Sequence, residues 1–389
     1  MNRETYRLGD IVQFNPTERL AKGTLAKKVP MEYLQPFTRA IINYEKAEYS
    51  GGSRFRNGDT LMARITPCLE NGKTAYVSIL DEDEVGFGST EYIVFRNVEG
   101  LTDSLFVYYF VTNPWFRDIA IKSMVGSSGR QRVQLAVLEN LVVNLPPLAE
   151  QKRIADILGA LDDKIELNRR INDNLEEQAK ALFNHYFIQN TENLGDWQDG
   201  VLTDIAQYLN GLAMQKYPAM PNEAGLPVLK IKELGQGQCD TNSDRCSSLI
   251  KPEYIISDGT IIFSWSGTLL VDIWCGGKCG LNQHLFKVSS AKYPQWFVFY
   301  WTKHHLNKFI RIAKDKAVTM GHIKRCDLEI SKVKIPSKQA LVNLDKLFSP
   351  IFNRMVTCRI ENRKLSSLRD TLLPKLMSGE LSVEEVSFD

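Results

Sequence analysis

Residues able to do chemistry are spread through the chain, and their spacing fails for each common reaction. Pro67-Cys68-Leu69-Glu70-Asn71-Gly72-Lys73-Thr74 imitates a phosphate loop. Pro67, however, stands where the first glycine belongs, and a strand rather than a helix is expected next. Gly86-Phe87-Gly88 is not a dinucleotide fingerprint. Asn113-Pro114-Trp115 and Asn144-Leu145-Pro146-Pro147-Leu148 each hold part of an Asn/Asp-Pro-Pro-aromatic element, and neither completes it. Asp327, Glu329 and Lys332 have the wrong spacing for a common nuclease triad. Cys275 and Cys279 fall within zinc-ligand spacing, whereas Cys239 and Cys246 fall outside it, so the thiols read as buried or idle. The five histidines, His185, His284, His304, His305 and His322, lack a serine or cysteine in a nucleophile setting. The reading is a chain with no catalytic residue, no metal site and no cofactor of its own: not an enzyme.

Binding chemistry is present. Residues 303–334 hold nine Lys/Arg against three Asp/Glu, and residues 117–132 hold four against one. Each stretch contains a glycine-bearing loop. One carries Ser127, Ser128, Arg130, Gln131 and Arg132; the other carries Thr319, His322, Lys324 and Arg325. Glycines let backbone N–H groups approach phosphate, and Arg and Gln can read base edges bidentately. A second group is Arg54, Arg56, Arg64, Thr66 and Lys73, echoed later by Lys230, Lys232, Ser264 and Ser266. These are polar donors expected at strand ends, as a DNA-binding surface needs.

The elements that must position these groups repeat at an offset of about 190 residues. Phe106-Val107-Tyr108-Tyr109-Phe110 returns as Phe297-Val298-Phe299-Tyr300-Trp301, and Gly88-Ser89-Thr90-Glu91-Tyr92-Ile93 as Gly280-Leu281-Asn282-Gln283-His284-Leu285. Asn57-Gly58-Asp59 returns loosely as Asp258-Gly259-Thr260. The strongest echo is helical. Ile154, Leu158, Leu161, Ile165, Asn168, Asn172, Leu175, Ala179, Leu182 and Tyr186 alternate spacings of four and three. So do Leu344, Phe348, Ile351, Met355, Cys358, Asn362, Leu365, Arg369, Leu372 and Leu376. Both sets form a heptad seam, which favours a helix pair. Antiparallel packing of such a duplication sets Asn168 and Asn172 against Asn362 and Cys358. Pro350 is expected to kink the second helix or mark its effective start, and Gly379 to stop it. Residues 190–196 read as a linker. Short strands are expected at 74–79, 92–95, 227–231 and 260–263, and helices near 104–112, 114–122, 294–302 and 304–314.

Composition bounds the rest. The 389 residues are 43% hydrophobic and 24% charged, ordinary for globular domains. The length suggests two to three domains. No apolar run is long enough to span a bilayer, and no apolar segment follows Met1-Asn2-Arg3-Glu4-Thr5-Tyr6-Arg7 as in a secretory signal. Seven cysteines, an odd number, read as reduced thiols, so a cytoplasmic location is expected. Net charge is only +2, so any DNA affinity must be local.

With these features in place the chain resembles the DNA-specificity subunits of type I restriction–modification systems. The carrying residues are Leu145-Pro146-Pro147-Leu148-Ala149-Glu150-Gln151-Lys152-Arg153-Ile154-Ala155 and Leu161-Asp162-Asp163-Lys164-Ile165-Glu166-Leu167-Asn168. Phe55-Arg56-Asn57-Gly58-Asp59-Thr60-Leu61 with Arg64-Ile65-Thr66-Pro67, and Leu373-Pro374-Lys375-Leu376-Met377-Ser378-Gly379-Glu380-Leu381, are similar to other parts of that family. Ser337-Lys338-Gln339-Ala340 departs from its usual Pro-x-x-Glu-Gln entry into the second helix.

The resemblance implies an α/β fold of the α+β kind, with two globular target-recognition domains separated by two long antiparallel coiled-coil helices in a pseudo-twofold repeat. Residues 1–147 would be the first such domain, 148–190 the central spacer helix, 191–336 the second domain, 337–380 the C-terminal spacer helix and 381–389 a tail. It further implies an asymmetric bipartite DNA target and a helical ruler setting the spacer. The expected partners are double-stranded DNA, two methyltransferase subunits carrying S-adenosylmethionine for adenine-N6 methylation, and restriction subunits using ATP and Mg. The competing readings are a non-catalytic coiled-coil scaffold, a defence adaptor without restriction activity, and a fused enzyme whose motifs are unrecognised.

Overall fold

The computed structural model describes residues 3–189, 197–315 and 321–386. The expected linker at 190–196 and the loop residue Thr319 lie outside the described residues. The chain divides into two units, Met1–Glu166 with Leu365–Asp389, and Leu167–Lys364.

In the first unit Glu4–Arg7 pairs antiparallel with Val142–Leu145. Two four-stranded sheets lie between them in sequence. One has the spatial order Val12–Phe14, Tyr92–Asn97, Thr60–Ala63, Thr74–Tyr76, with all pairs antiparallel. The other has the order Glu45–Glu48, Leu25–Val29, Gly86–Gly88, Arg54–Phe55, and its central pair is parallel. All of Thr60–Ala63 is buried, although the strand shows no alternation of apolar and polar residues. Successive side chains point to opposite faces of a strand. Leu61 enters a core with Val29, Phe55 and Val94, and Met62 enters another with Phe95, Phe106 and Phe116.

The second unit repeats this order strand for strand. Gln198–Val201 pairs with Lys332–Ile335. One sheet runs Gln207–Asn210, Leu285–Ser289, Thr260–Ser264, Leu270–Trp274. The other runs Arg245–Cys246, Leu226–Leu229, Cys279–Leu281, Ile255–Ile256, again with a parallel central pair. Ile262 and Phe263 divide between two cores as Leu61 and Met62 do.

The expected short helices form at Ser104–Thr112, Pro114–Lys122, Gln295–His304 and Leu306–Asp315. Asn113 accepts from the Trp115 N–H at 3.0 Å with Pro114 in the first helical position, so this Asn-Pro-Trp step is a helix start. Asp327 likewise serves the backbone, accepting from the Lys324 N–H at 2.7 Å.

The long helices are Leu148–Phe183, continued by a π-helical stretch at Asn184–Gln189, and Lys338–Ser378. In the first unit Ile154 and Leu158 share a core with Leu372, Leu373, Leu376 and Met377. Further along, Asp162 meets Arg369, so here the two helices run antiparallel. In the second unit Asn168 meets Asn362, and Phe187 lies 6.4 Å ring to ring from Phe348, giving the same sense.

Three expectations are corrected. The helix is continuous through Pro350, which is therefore not its start; Pro350 is exposed, and so is Lys346, whose carbonyl it leaves without its helical partner. The strand expected at 74–79 ends at Tyr76; beyond it Val77 exchanges backbone bonds with Gly58 and Asp59, and Asn57 bonds both ways with the Leu80 backbone, at 3.0 and 2.8 Å. Finally, the repeat register shifts by one. Tyr92 and Leu285 both face the last residue of a central strand, Ala63 and Ser264, so Glu91 corresponds to His284 rather than to Gln283. Gly379 does end the second helix, at φ +80°.

Candidate nucleic-acid interface

The glycine-bearing loop of each unit is strapped to the end of a central strand by the same hydrogen bonds. In the first unit Thr66 N–H donates to Gln131 O at 3.1 Å and Val133 N–H to Arg64 O at 2.9 Å. In the second, Gly267 N–H donates to Gly321 O at 3.0 Å and Ile323 N–H to Trp265 O at 3.1 Å. The neighbouring strand supplies Glu91 O to Arg64 N–H at 2.9 Å and His284 O to Trp265 N–H at 3.4 Å. One backbone frame thus holds Arg64, Glu91 and Arg132 in the first unit and Trp265, His284 and His322 in the second.

In the first unit the loop exposes Ser127, Ser128 and Arg130, with Gln131 half-buried. Gly126 sits at φ +135°, and a Cβ there would come 2.8 Å from Arg130 O, so the turn requires glycine. Arg132 forms a bidentate pair with Glu91, 2.6 Å at the shortest contact. On the other side of the Glu91 strand, Thr90 and Tyr92 line a polar recess of about 180 Å³ with Ser53, Arg54 and Arg64, and no carboxylate lines it. Arg54 lies over the Tyr49 ring at 5.9 Å. Arg64 donates weakly to Val133 O at 3.4 Å, and its buried Nε has no partner.

The remaining expected residues of this unit are placed differently. Arg56 pairs with Glu18 at 2.8 Å and donates to Asp83 O at 3.2 Å. Lys73 donates to Met31 O at 2.9 Å. The Thr66 hydroxyl faces Met124 Sδ at 3.9 Å.

In the second unit Ser264 is buried and donates to Ser266 O and Thr268 O, so it shapes the turn. Ser266 bonds His284 Nδ1 at 3.0 Å. The Trp265 indole N–H donates to Asn210 at 2.9 Å, and its ring meets the His322 ring edge-on. Lys324 and Arg325 are exposed, the latter 3.9 Å from Glu329. Lys230 and Lys232 are paired with Asp244 and Asp240.

Sequence reading missed Glu91, Asn210 and the site of His284. The repeat contained the signal, read one residue out of register.

The seam residues Ile154, Leu158, Leu161, Ile165, Asn168, Leu344, Phe348, Met355 and Cys358 are buried. Asn172, Leu175, Leu182, Ile351, Asn362, Leu365 and Leu372 are half-buried. At the ends of the second unit's seam Phe183, Phe187 and Phe352 take the deepest places, because a 3.6-residue turn drifts from a strict heptad. Asn168 donates to Asn362 and also to Glu361, both at 2.9 Å.

Among the described residues no group of three or more His, Cys, Asp or Glu is arranged to hold a metal ion. Burial pushes the Cys275 and Cys239 thiols up to about 11, and the Cys279 thiol higher still. Nor, among them, is any helix long and apolar enough to cross a membrane.

Residues 2–177 match the family model described as type I restriction modification DNA specificity domain. The chain is similar to the type I restriction enzyme MjaIX specificity subunit of Methanocaldococcus jannaschii, 26% identical over 318 residues, covering 75% of this chain and 73% of that one. It is also similar to the type I restriction enzyme HindI specificity subunit of Haemophilus influenzae, 21% identical, covering 88% and 90%. The crystal structure of a type I restriction–modification S subunit from M. genitalium shares the fold, with a TM-score of 0.56 at 16% identity over 96% of both chains.

Proposed function

We propose that the chain, a member of the type I restriction–modification specificity-subunit family, whose members recognise DNA without catalysis, reads a split, asymmetric target, one part with each unit. The observation that carries this reading is the repeated strap. Two frames with the same backbone bonds present different side chains at matching places, as two readers of different bases would. Phosphate contacts would come from the exposed loop groups Ser127, Ser128, Arg130 and Lys324, which position the duplex.

In this reading the helices, about 54 and 62 Å long at ~1.5 Å per residue, set the unread spacer. Two methyltransferase subunits dock on them, bringing S-adenosylmethionine to an adenine flipped from the stack. Restriction subunits using ATP and Mg complete the assembly. The modest net charge fits a protein that shares the embrace of DNA with its partners.

The test is a methylome. The chain is co-expressed with the methyltransferase encoded beside it, and host DNA is sequenced for N6-methyladenine. Methylation at one split, asymmetric motif, absent without this chain, is the expected result. A stable complex that adds no methylation would overturn the proposal in favour of a scaffold or a non-modifying defence adaptor.

A further inference from the structure

The carboxylate of Glu91 is out of place on a surface built only to grip phosphate, which it would repel. It nevertheless sits at the strand end that carries the loop strap, one residue from the recess-lining Thr90 and Tyr92. Its side chain is a quarter exposed and held by three contacts from Arg132, at 3.0, 3.0 and 2.6 Å. Two carboxylate oxygens offer about four acceptor directions, so the bidentate arginine does not exhaust them. Arg132 also offsets the charge that would otherwise oppose DNA. Among the described residues the side chains beside the pair, Gln131 and Arg130, have no hydrogen-bond or ion-pair partner, and Arg130 is exposed. In the second unit the equivalent places hold His284 and His322, with Ser266 bonded to the former.

We propose that Glu91 and Arg132 act together as a base-reading pair for the first half-site. Glu91 accepts a hydrogen bond from the exocyclic amine of a cytosine, and Arg132 orients and neutralises it. A carboxylate accepts from cytosine N4, has nothing to donate to the carbonyl oxygen of thymine or guanine, and at adenine would meet the N7 acceptor beside the N6 amine. The half-site read by the first unit therefore contains a C·G pair that this position specifies. The pair rests on the proposed reading of DNA by this chain, and it fixes one base pair rather than overall affinity.

The experiment is the same methylome with Glu91→Gln in the full chain and its native complex. The preference for C·G is expected to fall about tenfold or more at one position of the first half-site. The second half-site should stay as in the unaltered protein, which reports on folding and assembly within the same molecule. A Glu91→Gln pattern identical to the parent overturns the proposal, as does uniform weakening across the first half-site, the mark of a loop latch. Loss of all methylation also overturns it, since the change should be confined to one base pair. A second variant, His284→Glu with His322→Arg, moves the pair into the other frame and should create a C·G preference at one position of the second half-site. An unchanged second half-site there counts against the proposal. If the unaltered chain directs no motif at all, it is the DNA-reading function that has failed rather than this assignment.

Discussion

The two units fasten a sheet framework to the long helices with charges of opposite placement. In the first, arginine comes from the framework: Arg39 reaches Glu166 on the helix with two contacts of 2.9 Å. In the second, arginine comes from the helix: Arg363 and Arg359 reach Asp258 and Asp272 in the framework at 2.8 and 2.7 Å. The first unit also buries a linked set. Arg369 pairs with Asp162 at 2.6 Å, and Tyr109 donates to the other Asp162 oxygen at 2.7 Å. Where Gln151 bonds Asp103 N–H and the carbonyls of Leu101 and Pro146, the second unit has the half-buried Leu341 and an indole bond from Trp296 to Asp345. One architecture is thus reached by a buried polar lock in one unit and by aromatic packing with half-buried ion pairs in the other. The strand order and helix seams are constrained, and the chemistry of the fastening is not.

That contrast can be broken by mutation. Asp162→Ala leaves Arg369 without its buried carboxylate and is expected to destabilise the first unit by about 3–5 kcal/mol. Asp258→Ala removes a partner that is 26% exposed, bonded bidentately to Arg363 and to the Gly277 N–H, and should cost less, about 1–3 kcal/mol. Equal losses in denaturant titrations of the two variants would erase the distinction.

Acid should separate the units next. All five histidines lie within Leu167–Lys364. Burial holds His305 well below its ordinary value, at about 4, with its ring nitrogen bonded to Lys332 O. The unfolded chain takes up this proton first, near pH 6.5, so the contribution of His305 is complete above that and is lost as pH falls towards 4. Hydrogen exchange at pH 7 and 5 should show the second unit losing more protection, with the difference reduced in His305→Gln.

The smallest expected effect concerns the seam. Asn172 buries an amide oxygen with no partner, whereas the first unit's seam there is Ile and Leu. Asn172→Leu is expected to raise stability by about 1 kcal/mol in thermal melting. If register, affinity and assembly also stay unchanged, the mid-seam amides have no role in alignment.

The sequence was legible where periodicity carried information. The seams and the paired short helices followed from apolar spacing and from a repeat that survived low identity. Pro350 does not start the helix, since on an exposed face of a long helix the carbonyl it leaves unbonded can be met by solvent. The frame of Arg64, Glu91 and Arg132 was only half legible. Arg64 and Arg132 stood out as donors in basic stretches. Glu91 did not, because its meaning comes from a strap between residues some forty positions apart. Arg56 and Lys73 looked equivalent to Arg54 and Arg64, and only the fold assigns them to Glu18 and to Met31 O.

The division of the chain also bears on its synthesis. The second unit is one continuous stretch, Leu167–Lys364, but the first needs Leu365–Asp389 as well. Its core includes Leu373, Leu376, Met377 and Val383 beside Ile154 and Leu158. Arg3 closes the arrangement by donating to Met377 O at 2.6 Å. The half made first by the ribosome therefore cannot finish folding until the half made second has already emerged. For roughly ten seconds or more, at ~5–20 residues per second, Ile154 and Leu158 wait without Leu373, Leu376 and Met377, and it is then that a nascent chain would benefit most from a chaperone.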